Sequence, residues 1–278
     1  MLSIIIANFK NPALLRLCLT SLAKNITPGF SYEIVVTDGQ TSIETQNVVL
    51  EEFAHTFSKI TLVPFKENIG YTRLVNEGIK ASSGDYFLIL NADIITLPGS
   101  LAGMVGYLAA HPYVGLLGPQ LLNFDDSIQQ SYFRFYTPLT ILYRRISHLP
   151  FAGRVLNPFL MKDLQPTKPV AVDWVMGSAL LTSKAALAKI GLMDETMFLY
   201  MSEVDWAKRF WENGYAVVYY PPAKLYHFHK RESKGRFGIF DIFLRRETRW
   251  HIRDAIRYFM KHGIRAQTPR TAQLSLSL

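Results

Sequence analysis

One cysteine in 278 residues, Cys18, excludes an intramolecular disulfide, and its place in an apolar helical pattern reads as a small core residue in a reducing compartment. No stretch reaches the ~20 apolar residues that span a bilayer. The opening Met1-Leu2-Ser3-Ile4-Ile5-Ile6 is too short for a signal peptide and has no basic flank, so it is expected to begin the fold. There is no internal repeat and no low-complexity tract. The first apolar run is followed by Asn8-Phe9-Lys10-Asn11-Pro12, not by a glycine-rich turn, and no P-loop occurs, which excludes a Rossmann dinucleotide site and a P-loop nucleotide site.

What is present points to a packed core. Apolar residues make up 49% of the chain and charged residues 19%, with 18 Phe and 14 Tyr, above the reach of a disordered composition. The length suits one large α/β domain with an appendage. The net charge of +8 is unevenly placed. Residues 230–265 hold eleven Lys or Arg against four acids, a net of +7, which leaves +1 for all other residues.

The apolar pattern predicts strands at Ile4–Ala7, Glu33–Thr37, Ile60–Pro64 and Tyr86–Leu90. Helices are expected after Asn11-Pro12 (Leu14, Leu15, Cys18, Leu19, Leu22), at Val48–Phe57 and at Tyr71–Lys80. This alternation implies a parallel, doubly wound sheet with ligands beyond the carboxyl ends of its strands. The residues expected there are Ala7–Phe9, Asp38-Gly39, Lys66–Gly70 and Asn91–Asp93. Further on, residues 131–161 read as an irregular, partly mobile stretch and Val172–Thr182 as strand-like around Gly177. Phe198–Trp211 reads as a helix around an acidic cluster, Ala216–Tyr220 as a strand closed by Pro221-Pro222, and about Ile239 to His262 as a long basic helix.

Three features carry chemistry. Asp38-Gly39 is either a plain turn or a carboxylate that bonds a sugar or base edge. Asp93 ends an apolar strand, where a carboxylate wants a partner; a divalent cation shared with diphosphate oxygens supplies one, and a helix cap near Pro98 is the plainer role. His227 and His229 follow a strand, and a neutral imidazole suits Mn²⁺ better than Mg²⁺.

In order along the chain, Ser3-Ile4-Ile5-Ile6-Ala7-Asn8-Phe9, Val35-Val36-Thr37-Asp38-Gly39, Glu67-Asn68-Ile69-Gly70, Asn76-Glu77-Gly78, Ser83-Gly84-Asp85-Tyr86 and Leu88-Ile89-Leu90-Asn91-Ala92-Asp93 resemble a family 2 glycosyltransferase of GT-A fold. The likeness continues through Val172-Asp173-Trp174-Val175-Met176-Gly177-Ser178, Gly191-Leu192-Met193-Asp194-Glu195, Phe198–Asp205 and Leu225-Tyr226-His227, and so covers roughly residues 1–265. Arg134-Phe135, Thr137-Pro138 and Arg257–Gly263 look most like bacterial rhamnosyltransferases.

The resemblance implies an α/β GT-A (Rossmann-like), mostly parallel sheet flanked by helices. Residues 1–235 would be the catalytic domain, with about 1–95 binding the nucleotide sugar and about 96–235 the acceptor; residues 236–278 would be a basic amphipathic helix and tail. It places Ala7 and Asp38 at the nucleoside, Asn68 and Arg73 along the donor, and Asn8, Gly70, Asn91, Trp174 and Gly177 at the substrates. Asp93 and His227 would be ligands of a divalent cation, Mn²⁺ or Mg²⁺. Glu203 is the implied catalytic base, with Asp205 as its competitor two residues on. Asn91 departs from the family's D-x-D, Ser202-Glu203 stands for its Glu-Asp pair, and Asp38 lacks the usual following Asn-Ser.

An acceptor hydroxyl must be activated and a nucleoside diphosphate must leave, which one carboxylate and one cation can accomplish, with inversion in a single displacement. The expected partners are a nucleotide-diphosphate sugar and a lipid-linked or glycan acceptor in cell-surface polysaccharide synthesis, with rhamnose from dTDP-rhamnose as the transferred sugar. In the tail, Arg245, Arg249, Arg253, Arg257 and Lys261 recur every four residues beside Phe240, Leu244, Ile252, Ile256 and Phe259. This periodic stripe suits an anionic membrane surface better than nucleic acid and implies a cytoplasmic enzyme peripheral on the inner face of the cell membrane. The competing reading is a non-catalytic peripheral membrane-binding protein built on a GT-A-like domain.

Overall fold

The computed structural model describes residues 1–27, 31–146, 151–228 and 245–265. The first half alternates as its pattern demands. β1 (Leu2–Phe9) is buried along nearly its whole length and leads to α1 (Pro12–Asn25), where Pro12 suits the first turn. β2 (Tyr32–Gly39) follows, then α2 (Ile43–Asn47), capped by Ser42 Oγ on the Thr45 N–H. The helix expected over Val48–Phe57 therefore starts earlier, and Val48–Glu52 continues it as a wider π turn with Val48 and Val49 both inward. β3 (Ile60–Pro64), α3 (Tyr71–Lys80), β4 (Tyr86–Asn91) and β5 (Ile94–Thr96) complete this half.

The second half is richer than its sequence suggests. It comprises α4 (Ser100–Ala110), β6 (Val114–Leu122), β7 (Tyr132–Phe133), α5 (Pro138–Arg145), α6 (Ala152–Phe159), β8 (Val170–Ala171), β9 (Trp174–Val175) and β10 (Ala179–Ser183), then α7 (Lys184–Ile190), α8 (Ser202–Glu212), β11 (Ala216–His227) and α9 (Arg246–His262). The described part of residues 131–161 is thus a short strand and two helices, tied down by Phe133, Tyr136, Phe159 and Trp174 packing ring on ring. The strand expected over Val172–Thr182 is broken at two points. Asp173 turns aside to accept the Phe135 N–H and meet Arg134, and Gly177 lies in the loop before β10.

The sheet runs β3-β2-β1-β4-β10-β6-β11-β5, with β8 also on β11. β3, β2, β1 and β4 are parallel, as are β6 and β11, while β10, β5 and β8 run antiparallel to their neighbours. The sheet is therefore mixed, parallel where the alternation was regular. β11 does not stop at Pro221-Pro222. Its register on β6 shifts between Tyr220 and Lys224, so the two residues without N–H groups sit at an irregularity, and the strand runs on to His227.

α9 is the described part of the helix expected from Ile239; Phe240, Leu244 and His229 lie outside the described residues. It docks through Thr248, Asp254, Ala255 and Tyr258, while Ile256 of the expected apolar stripe is exposed.

Candidate active site

The site is built where the regular half of the sheet ends. Asn8 and Asp38 are register partners at the tips of β1 and β2, and the Asn8 Nδ2 donates to Asp38 Oδ1 at 2.8 Å. Their other oxygens, Asn8 Oδ1 and Asp38 Oδ2, are buried without a hydrogen-bond partner. Burial pushes the Asp38 carboxyl up, against hydrogen bonds from Asn8, Thr45 and Thr41. Two orphaned acceptors side by side suit a ligand that donates N–H or O–H groups. Ala7 lies between Thr37 and Asn91 on the same row.

The end of β4 meets β11 through β5. Because β5 pairs antiparallel with β11, Ile94 stands opposite His227 and the Phe228 N–H donates to the Asp93 carbonyl. His227 Nε2 thereby approaches Asp93 Oδ1 at 3.6 Å. Gln129 sets the state of this histidine. Its Nε2 donates to the His227 carbonyl (2.8 Å) and to Asn123 Oδ1 (2.7 Å), so its Oε1 accepts from His227 Nδ1 at 2.9 Å. A neutral His227 then carries its proton on Nδ1 and turns the Nε2 lone pair toward a carboxylate oxygen. A lone-pair nitrogen and a carboxylate oxygen so placed are donors that one cation can share, and Asn91 Oδ1 nearby is buried without a hydrogen-bond partner. The donor set, one imidazole nitrogen and hard oxygens, fits Mn²⁺ or Mg²⁺. Among the described residues no cluster of three or more His, Cys, Asp or Glu exists, so a cation here needs further oxygens from a ligand.

Glu203 is the second residue of α8, which Ser202 opens after Met201, whose φ of 66° is left-handed. It lies against the loop that precedes β10: a Cβ on Gly177 would meet Glu203 Cβ and Cγ at 3.5 Å and the Tyr71 hydroxyl at 3.3 Å. Tyr71 donates to the Gly177 carbonyl at 2.6 Å. One residue on, the Ser178 carbonyl accepts the Asn91 N–H at 2.9 Å. A two-residue span of backbone thus joins Glu203 to the tip of β4. Burial pushes the Glu203 carboxyl up to about 7, helped by the charge of Asp254 and opposed by its own backbone N–H and by Arg144.

Other expected residues are placed differently. Asp205 is fully buried, its oxygens held by Arg209 (2.9 Å), Lys261 (2.8 Å) and His262 (2.7 Å), which keeps its carboxyl low despite desolvation. It faces the α8–α9 contact and is a structural ion cluster, not a base at the opening. Trp174 is buried among Phe133, Tyr136 and Phe159 with its indole N–H on the Arg134 carbonyl, so it walls the site from behind and offers no ring face to substrate. Arg73 reaches Glu195 at 3.4 Å on the surface. Asn68 accepts the Gly70 N–H at 2.9 Å and shapes the turn. Gly70 is obligatory there: its φ is 81°, and a Cβ would stand 2.4 Å from the Phe198 carbonyl oxygen. Sequence reasoning missed Gln129 and Tyr71, since neither belongs to a local pattern and each acts across a gap of more than 90 residues.

Comparison with known proteins decides the class. Residues 3–171 match the family described as glycosyl transferase family 2. The chain belongs to that family. Among curated relatives, the N-acetylglucosaminyl-diphospho-decaprenol L-rhamnosyltransferase of Mycobacterium tuberculosis is 30% identical over 198 residues, 65% of this chain and 62% of that protein. The amylovoran biosynthesis glycosyltransferase AmsE of Erwinia amylovora is 28% identical over 128 residues, 45% of this chain and 47% of that protein. The chain thus spans about six-tenths and about half of these relatives' lengths. The mannosyltransferase PcManGT from Pyrobaculum calidifontis, solved with GDP-Man and Mn²⁺, superposes with a TM-score of 0.64 at 16% identity, over 99% of this chain and 67% of that one. GalNAc-T7, solved with UDP, GalNAc and Mn²⁺, gives 0.65 at 15% identity, over 83% of this chain and 43% of that one. This family 2 glycosyltransferase therefore has the GT-A fold.

Proposed function

We propose that this glycosyltransferase inverts the anomeric centre of a sugar, rhamnose from dTDP-rhamnose, as it moves it to a lipid-linked or polysaccharide acceptor of the cell surface. The observation that carries the reading is the Gly177-Ser178 span, which sets a carboxyl tuned to about 7 beside the strand end that bears Asn91 and Asp93. The relative that acts on a diphospho-decaprenol supports the lipid-linked acceptor and the sugar.

Glu203 takes the proton of the acceptor hydroxyl as its oxygen bonds to the anomeric carbon, and the bond to the diphosphate breaks with its electron pair on the leaving oxygen. Asp38 and Asn8 receive the nucleoside edge through the two buried oxygens that have no hydrogen-bond partner. Asp93, His227 and the Asn91 oxygen would hold the divalent cation, which when bound would supply positive charge for a leaving diphosphate. A non-catalytic membrane-binding protein would have no use for a carboxyl poised at neutral pH in this place.

Calorimetric titration with dTDP, UDP and GDP, each with and without Mn²⁺, tests the site. The expected result is Mn²⁺-dependent binding, tightest for dTDP, that Asp93→Ala abolishes while the melting temperature holds. Equal affinity in Asp93→Ala sinks the cation assignment, and no turnover of dTDP-rhamnose with a polyprenyl-diphosphate acceptor sinks the donor assignment.

A further inference from the structure

The residues just before Glu203 are held by a helix that lies outside the matched family region. Asp254 of α9 is fully buried, and its Oδ2 accepts three successive backbone N–H groups, from Phe198 (3.0 Å), Leu199 (3.0 Å) and Tyr200 (3.1 Å). One carboxylate oxygen on three convergent amides is a strong, charge-assisted clamp. The same helix grips the loop twice more: Arg257 donates to the Thr196 carbonyl, and Lys261 meets Asp194 at 2.6 Å. Phe198 lies between the Trp250 ring and the Arg253 guanidinium.

The clamped turn has two working ends. On one side the Phe198 carbonyl accepts from the Thr72 N–H (3.4 Å), and it fills the space that the missing Gly70 side chain leaves. On the other, the chain passes through left-handed Met201 into the first turn of α8. A non-glycine residue in that conformation is strained and persists only where its surroundings over-determine it. The Asp254 clamp fixes the three residues that lead into it.

We propose that Asp254 is a positioning residue for glycosyl transfer: through the 198–200 turn it fixes Glu203. The inference rests on the reading of Glu203 as the base. A clamp that served only stability would lower the melting temperature and leave the rate of folded enzyme and its pH profile unchanged.

Two variants, Asp254→Asn and Asp254→Glu, are measured for melting temperature, donor KM, transfer kcat and the pH dependence of kcat. In Asp254→Asn the expected result is a kcat lower by roughly 10–100-fold, the size of loss that follows small misplacement of reacting groups, with donor KM little changed. Its acid limb moves to lower pH, because the charge that favours protonated Glu203 is gone. Asp254→Glu keeps that charge but displaces the turn by a methylene, so kcat falls while the acid limb stays; it decides the matter if the asparagine variant does not fold. In the Glu203→Gln background, Asp254→Asn adds no further loss, since both act at one step. A wild-type rate and an unmoved acid limb in the folded variants, with Glu203→Gln inactive, overturn the inference alone. Full turnover in Glu203→Gln overturns the base assignment and the route through it.

Discussion

Glu203 and Asp205 stand two residues apart on one helix, and burial treats them in opposite ways. Asp205 is surrounded by Arg209, Lys261 and His262, so its charge is stabilised and its carboxyl is held low. Glu203 has only a distant guanidinium and an opposing carboxylate, so desolvation dominates and lifts it to about 7. The consequences for stability differ in sign. The Asp205 contribution is present above the unfolded carboxylate range near pH 4 and is lost as pH falls through its depressed folded value. The Glu203 contribution is full below that range and is lost as pH rises through about 7. At pH 8, therefore, Glu203→Gln is expected to melt no lower than wild type while transfer falls by ~10²–10⁴-fold. Wild-type kcat itself should rise with pH to a plateau above about 7. Asp205→Asn should do the reverse, costing about 3–5 kcal/mol by leaving buried cations unpaired, with turnover per folded molecule retained. A pH–rate profile and thermal melts of both variants check this; a stable, inactive Asp205→Asn would move the base there.

Among the elements, β11 has the largest gap between sequence and structure. Its two prolines argue for a strand end, and the expected element stopped at Tyr220. The register shift absorbs Pro221 and Pro222, and five further residues, 223–227, carry His227 to Asp93. Regular patterning made β1, β2, β4 and α3 legible, because both faces of those strands are buried and the alternation of elements is local. Asp93 and Glu203 stand out in the sequence for a different reason: Asp93 ends an apolar strand, Glu203 lies in an acidic cluster at a helix start, and the family resemblance singles out both as candidates. What was hidden depends on distant pairing. Trp174 carries the same motif mark yet is consumed by aromatic packing, and nothing in the neighbourhood of Gln129 announces a partner 98 residues away. That partnership gives the element-level prediction. Gln129→Ala frees the His227 ring and its tautomer, so Mn²⁺-dependent dTDP affinity should fall by ~10–100-fold, the usual cost of losing an outer-shell hydrogen bond. Circular dichroism should remain native-like. Undiminished affinity would show that His227 does not touch the cation.

For the whole molecule, α9 turns the expected membrane surface inside out. Its inner face is Thr248, Asp254, Ala255 and Tyr258, and it spends Arg257 and Lys261 on the loop before α8. The outer face carries Ile256 and Met260, four residues apart and exposed at 54 and 82%, with Arg249 at helical spacing beside them, while exposed Ile264 follows the helix end at Gly263. α5 lies against it through Arg145 and His251, which meet at 3.1 Å, and exposes Leu139 and Leu142. Among the described residues no helix is long and apolar enough to cross a membrane. Apolar side chains flanked by arginines on adjoining helices are instead suited to resting in the headgroup layer of an anionic bilayer, each cation near the surface adding ~1 kcal/mol. The same helix would then hold the Glu203 loop on its inner face and lipid on its outer one, bringing the catalytic opening to an acceptor that is itself anchored in lipid. The full-length protein should sediment with phosphatidylglycerol-containing vesicles at low ionic strength and not with pure phosphatidylcholine, and binding should weaken as salt screens the charges. Ile256→Glu with Met260→Glu should release it while leaving Asp254, the melting temperature and donor turnover untouched. Vesicle binding that survives this double change would place the lipid contact on another surface of the protein, and no binding of wild type at low salt would remove the membrane from the reading altogether.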